Sequence, residues 1–342
     1  MKKLVLTGIG LFVLLVFSIL AAIFVGDESV SISAVSEVLR HHLIPGHSTS
    51  VSATVDLIVW ELRMPRVLLA MVVGGGLSIV GVAMQALVRN PLAEPYILGI
   101  SSGASAGASL FFLGFLPPLL SRTLSLPLAA IIGGWVSLLI VYLVARSHGR
   151  ISVARLLLAG VAMSSLMAAV TAFVTLLSPE PDRLRGVLFW LLGSLNGVHW
   201  SQVPLPAIAS FVGLAVLLLM ARPLDALLTG EEPALSLGVP VETVKRILIA
   251  VAAFVTGTLV ATSGAIGFVG LIVPHAVRAL VGVSHRRVVP FSFFTGAVFL
   301  LWADVLARIL LTAQDFPVGI ITAITGVPFF LILLRRSGYR FG

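Results

Sequence analysis

The chain has 342 residues, of which 58% are hydrophobic and only 11% are charged. Soluble domains carry roughly 25% charged residues, so this composition excludes a soluble enzyme or binding module and makes the bilayer the solvent. There is no cysteine, hence no disulfide and no thiolate metal site. The net charge of +8 reads as Lys and Arg gathered in cytoplasmic loops, not as a nucleic-acid surface.

A helix needs about 20 apolar residues to cross the ~30 Å hydrocarbon core. Ten such runs are predicted in chain order, at about 4–25, 67–88, 95–115, 127–145, 155–177, 203–221, 246–264, 268–283, 290–311 and 318–334. The third, fifth and eighth are short or rich in small residues, so their ends are soft. The first run follows "MKK". It is read as a retained helix and not a secretory signal, because it is long and no small-x-small cleavage site follows it. Two shorter helical stretches are predicted. That at 184–195 is a half-helix at the outer face, and that at 225–237 sits in a polar loop.

Lys and Arg set the orientation. With the N-terminus inside, 15 of the 22 basic residues fall in cytoplasmic segments. The outer segments hold Arg40, Arg63, Arg66, Arg122, Arg183, Arg185 and Arg308. Both termini are then cytoplasmic, and so is "RNPLAEP" at 89–95, in the stretch "RNPLAEPYILG". Pro91 and Pro95 forbid a continuous helix there, so the chain reverses through a rigid loop. "GISSGASAG" spaces Gly99, Gly103 and Gly107 four apart, and "GAIGFVG" spaces Gly264, Gly267 and Gly270 three apart. Both patterns predict close helix packing in lipid.

Several chemistries are missing. There is no G-x-x-x-x-G-K-[ST] phosphate loop, so the chain does not itself hydrolyse ATP. No H-E-x-x-H or paired His cluster marks a metal. Ser263 and His275 lack a G-x-S-x-G setting, which argues against an intramembrane serine hydrolase. Asp304 and Arg308 stand four apart with the acid first, the favourable order for a helical ion pair. Either a functional charge or a plain local pair fits that spacing. No ladder of carboxylates runs through several spans, which weighs against an ion-coupled secondary carrier, the rival class. The polar insertion 222–246 mixes Asp225, Glu231, Glu232 and Glu242 with Leu227, Leu228, Leu235 and Leu237. That pattern suits a short amphipathic helix docking onto a partner.

The stretch "RMPRVLLAMVVGGGLSIVGVAMQALVRNPLAEPYILGISSGASAG" resembles the signature region of the FecCD-type permeases. These are membrane subunits of ABC importers for iron-siderophores, haem and cobalamin. The resemblance continues in order through "RLLLAGVAMSS", "GVLFWLLGSLNGVHW", "GEEPALSLGV", "SGAIGFVGLIVPHAVR", "ADVLAR" and "PVGIITAITGVPFFLILLRR". It implies an all-α permease of the type II importer fold, with ten helices and no cofactor. It also implies a homodimer in the inner (cytoplasmic) membrane, two cytoplasmic ATP-binding subunits and an outer substrate-binding protein.

By motif matching, Arg63, Arg66 and Arg308 resemble outward arginines that receive acidic residues of the binding protein. Glu231, Glu232, Leu235, Leu237 and Gly238 are similar to the segment that couples to the ATPase. Met163, Ser164 and Met167 match path-lining positions, as does the 184–195 half-helix. Asn90 and Leu92 match the cytoplasmic gate, and Val153 and Ala154 a second constriction. Asp315 stands where the family usually has Glu. Siderophore, haem and cobalamin permeases share these motifs; an iron compound is placed first on family breadth alone.

Overall fold

The computed structural model describes residues 2–26, 30–45, 51–178, 181–310 and 316–336. Asp315 and Arg340 lie outside the described residues. The elements are helices α1 (Lys2–Phe24), α2 (Ile32–Leu43), α3 (Ala53–Asp56), α4 (Met64–Val88), α5 (Ile100–Phe112), α6 (Pro118–Thr123) and α7 (Leu126–Ala145). A two-residue hairpin, β1 (Arg146–Ser147) with β2 (Arg150–Ile151), precedes α8 (Val153–Leu176) and α9 (Pro181–Leu191). Then come α10 (Pro204–Leu219), α11 (Ala221–Leu227), α12 (Glu231–Ser236), α13 (Val241–Ser263), α14 (Val269–Val281), α15 (His285–Leu310) and α16 (Val318–Arg336).

Each of the ten expected spans has its helix: α1, α4, α5, α7, α8, α10, α13, α14, α15 and α16. Eight segments among the described residues are long and apolar enough to cross a membrane. The other two, α5 and α14, have 13 residues each. At 1.5 Å per residue each covers about 20 Å, short of the ~30 Å core. The third and eighth spans are therefore half-helices, completed by irregular backbone. The 225–237 stretch is two short helices, α11 and α12, and the half-helix expected at 184–195 is α9.

α4 is the hub. Between Leu69 and Leu87 every residue except Met71 is buried. A helix that is apolar all round has no polar face to offer water and belongs in a core. Its glycines let neighbours reach its backbone. A Cβ added at Gly74 would lie 2.2 Å from the Gly296 carbonyl oxygen on α15, and one at Gly81 2.0 Å from the Gly270 carbonyl oxygen on α14. α1 enters this core at its end, through Ala22 and Ile23, and otherwise lies against α15: Leu15 packs on Ala297 and Val298, and the Trp302 indole donates to Ser18 Oγ at 2.9 Å. The first helix thus packs against the bundle through α15.

The glycine patterns divide. Gly103 and Gly107 on α5 meet Gly133 and Ala129 of α7 at backbone contact, as their spacing predicts. Gly99 and Gly264 are instead positive-φ turn residues, and Gly267 lies in a non-helical break; only Gly270 of its trio makes a helix crossing. Gly81→Ala is expected to force α4 and α14 apart and to cost roughly 1–3 kcal/mol, the usual range for overpacking. Thermal unfolding in detergent checks this, with Gly10→Ala, which meets nothing within 4 Å, as the neutral comparison.

Candidate translocation site and its ties

The RNPLAEPYILG segment is not a simple reversal at the helix end. Arg89 ends α4 in the left-handed region (φ 55°). Asn90 then folds the loop on itself: its side-chain oxygen accepts from Leu92 N–H at 2.9 Å and its carbonyl from Ala93 N–H at 3.1 Å. From Glu94 onward the chain rises into the bundle. The Tyr96 hydroxyl donates to the Ile266 carbonyl at 2.5 Å and accepts from Ile266 N–H at 2.9 Å. Glu94 Oε1 accepts from Phe268 N–H at 3.1 Å. Gly270, two residues further, packs against Gly81, seven residues or about 10 Å inside the end of α4. The second half of the segment, where the third expected span begins, is thus packed inside the bundle.

The partner of this clamp is the break between α13 and α14. Phe268 there has φ 66°, an uncommon conformation for a bulky side chain that persists only where its surroundings dictate it. Glu94 holds its N–H, and its ring sits in the notch left by Gly326 of α16. Gln85 donates to the Gly270 carbonyl at 3.1 Å and accepts from Arg278. Glu94 and Tyr96 carried no assigned role in the sequence; their partners stand 174 and 170 residues away.

The second expected constriction opens α8. Ser152 caps the helix through Arg155 N–H, Val153 is half-buried and Ala154 exposed. The β-hairpin just before it is fastened to the 222–246 insertion by Lys245. This lysine is 1% exposed. Its ammonium donates to Glu231 at 2.7 Å, Glu242 at 3.2 Å and the Ile151 carbonyl at 3.0 Å, while Glu242 accepts from Ile151 N–H at 2.8 Å. Lys245 read as an ordinary loop cation; it is a buried junction. Glu231 accordingly turns inward, whereas Glu232, Leu235, Leu237 and Gly238 are exposed.

On α8, Met163 is buried and packs near Gly99 within the protomer, Ser164 is half-buried, and Met167 leans on the core. The exposed stripe of this helix is a neighbouring one: Leu158, Val161, Ala162, Ser165, Leu166 and Phe173. Between α9 and the ends of α5, α7 and α13 lies a cavity of about 430 Å³, with Phe112, Phe189 and Trp190 on one wall and Asn196, Gln202 and Thr262 on another.

At the far end of α4 the three arginines are engaged within the protomer. Asp304 is fully buried, and the predicted pair with Arg308 is present at 3.2 Å. Arg66 joins it, with its Nε 3.0 and 3.1 Å from the two carboxylate oxygens, and also donates to Asn196 at 3.3 Å. Arg63, 6% exposed, donates to the Ile23 and Phe24 carbonyls; Arg308 donates to those of Ala22 and Val25. The last carbonyls of α1, which have no intrahelical donors, are thus satisfied by guanidinium groups at the negative end of the helix dipole.

The FecCD transport family matches residues 14–336. A cobalamin import system permease protein, BtuC, from Halobacterium salinarum is 46% identical over 85% of this chain and 76% of its own. The vitamin B12 import system permease protein BtuC of Klebsiella pneumoniae is 41% identical over 84% of this chain and 85% of its own. This chain belongs to the FecCD transport family. A solved structure, described as an inward-facing conformation of a transporter assigned to the metal-chelate type, superimposes with a TM-score of 0.82 at 29% identity, covering 96% of this chain and 98% of that one. The FecCD chain described here is therefore an α-helical ABC importer permease of the BtuC-like fold. No grouping of three or more His, Cys, Asp or Glu able to hold a metal occurs among its described residues.

Two measurements probe these ties in the FecCD permease. Tyr96→Phe removes both bonds to Ile266; at about 1–3 kcal/mol for each buried group left unpaired, the unfolding midpoint should fall by several degrees. Arg63→Gln should lower stability by releasing α1, yet leave the affinity for the substrate-binding protein unchanged. A large loss of that affinity with normal stability would restore the docking role to Arg63.

Proposed function

We propose that this permease translocates cobalamin, or a closely related metal chelate, through a path formed by two copies of itself. The motion is driven by two ATP-binding subunits, and a substrate-binding protein delivers the cargo at the Arg66 end of the bundle. The identity to two cobalamin permeases moves cobalamin ahead of the iron compounds that family breadth alone put first. The charge distribution supports a cytoplasmic Arg89 end and a multi-pass chain in the inner membrane.

The observation that carries the mechanism is the Lys245 junction. It ties α12, through Glu231, to the β-hairpin that leads into Val153 and Ala154. Closure of the ATPase pair against exposed Leu235 and Leu237 then moves one constriction directly. The Asn90–Leu92 turn is the other. Its Asx geometry makes it stiff, and the Glu94–Tyr96 clamp links it to α14. The exposed α8 stripe supplies the wall facing the second copy, with Ser164 and Met167 beside it. Substrate passes chemically unaltered. Among the docking arginines, Arg66 is the best placed, since Arg63 and Arg308 are both tied to the α1 carbonyls. Arg66 keeps the more exposed side chain of the two that hold the buried Asp304, and charge complementarity to an acidic loop there raises the association rate.

An ion-coupled carrier would need titratable groups along its route. Among the described residues, Asp304 is fully buried and held by two guanidinium groups, and Glu94 is bonded to Phe268 N–H, which favours fixed structural charges.

In proteoliposomes holding this chain, its ATP-binding subunits and its binding protein, cobalamin uptake should require ATP and exceed uptake of ferric siderophores and haem. Uptake by this chain alone on a proton or sodium gradient would refute the importer reading. Asn90→Ala with Leu92→Ala should raise ATP hydrolysis per molecule imported several-fold. A thiol cross-linker on Leu235→Cys, clean because the chain has no cysteine of its own, should capture an ATP-binding subunit.

A further inference from the structure

A second site lies at the Arg89 end, in the elbow between α10 and α11. There a cleft of about 550 Å³ is lined by Arg222, Arg286, Ser284, Asp225, Leu218 and Leu219. We propose that this cleft binds the phosphate headgroup of an anionic phospholipid of the cytoplasmic leaflet.

Three observations carry this. First, the cleft is positive. Arg222 and Arg286 are exposed and make no hydrogen bond or ion pair among the described residues. The acidic group beside them is already committed: Asp225 Oδ1 accepts from His285 N–H at 2.8 Å and lies 2.6 Å from His285 Nδ1, and Oδ2 accepts from Ser284 Oγ at 3.2 Å. Asp225 thereby caps the start of α15, whose dipole adds further positive potential. Two free guanidinium forks beside a hydroxyl suit a phosphate, which each fork can grip by two parallel bonds.

Second, the lip is apolar and continuous with the bilayer-facing surface. Leu219 is 80% exposed. It ends the exposed row of α10 that includes Leu205, Ile208, Phe211 and Val212. An acyl chain following that row brings its headgroup to the arginines. A free anion has no use for this lip, so the lipid is the favoured occupant. Basic pockets between helices on the cytoplasmic side bind anionic headgroups in this way.

Third, the floor of the cleft is the joint between the coupling segment and α15. A lipid seated there braces α11 against α15 and stiffens the route from the ATP-binding subunits to the bundle.

The site rests on the orientation proposed above, and the two are tested separately. The permease with its ATP-binding subunits is placed in nanodiscs of phosphatidylcholine, with or without phosphatidylglycerol, and its unfolding midpoint and retained lipids are measured. Phosphatidylglycerol should raise the midpoint of the native complex and of Arg287→Gln, and the rise should vanish in Arg222→Gln with Arg286→Gln. Equal rises in all three overturn the site. A rise reproduced by inorganic phosphate in phosphatidylcholine alone overturns the lipid in favour of a free anion. Loss of the ATP-binding subunits from the double variant, with the lipid effect intact, makes the cleft a protein dock instead. A membrane-impermeant thiol reagent should reach Arg222→Cys from the cytoplasmic side only; labelling from outside overturns the orientation and leaves the lipid result standing.

Discussion

Irregular backbone inside a bilayer must find its hydrogen bonds within the protein, because hydrocarbon offers none. This constraint organises the molecule. Two segments leave the helical ladder inside the bundle, 94–99 and 264–268, and they share hydrogen bonds. One tyrosine hydroxyl serves both the N–H and the carbonyl of Ile266, and one carboxylate serves the N–H of Phe268. The half-helices α5 and α14 can begin inside the bundle only because of this exchange. α4, stripped to glycine at Gly74 and Gly81, lets α15 and α14 come close enough for the exchange to occur.

The same logic governs the ends. The carbonyls of α1 are closed by Arg63 and Arg308, the start of α15 by Asp225, and the hairpin before α8 by Lys245 and Glu242. Each tie joins elements distant in sequence. A permease that must move while embedded in lipid thereby has rigid units of known membership. The 89–99 loop is tied to the break before α14, and the 222–246 segment to both the hairpin and α15. In the proposed importer the cytoplasmic gates are driven by whole units and not by loose loops.

Much of this was legible in the sequence. Ten apolar runs marked ten helices, and the four-residue spacing of Asp304 and Arg308 marked their ion pair. What escaped has a common cause. Periodicity tells which residues are helical but not the depth at which a helix starts, so the run from Pro95 was read as a full span although α5 begins at Ile100. Gly264 and Gly267 have the spacing of a packing motif but serve a break. Arg63 and Lys245 looked like surface cations because nothing local shows their acceptors, on α1 in one case and on the hairpin and α12 in the other. The likeness of RMPR and ADVLAR to a docking motif grouped the three arginines, which do meet at one end of the bundle, but did not show that α1 already engages two of them.

The central claim is that 89–99 and 264–268 form one body that stays joined through the transport cycle. Amide hydrogen exchange over residues 264–270, measured in the complete transporter without nucleotide and with ATP trapped, tests it most directly. The account predicts strong protection of Ile266 and Phe268 in both states. Rapid exchange at these amides in either state would show that the clamp opens, and would contradict it.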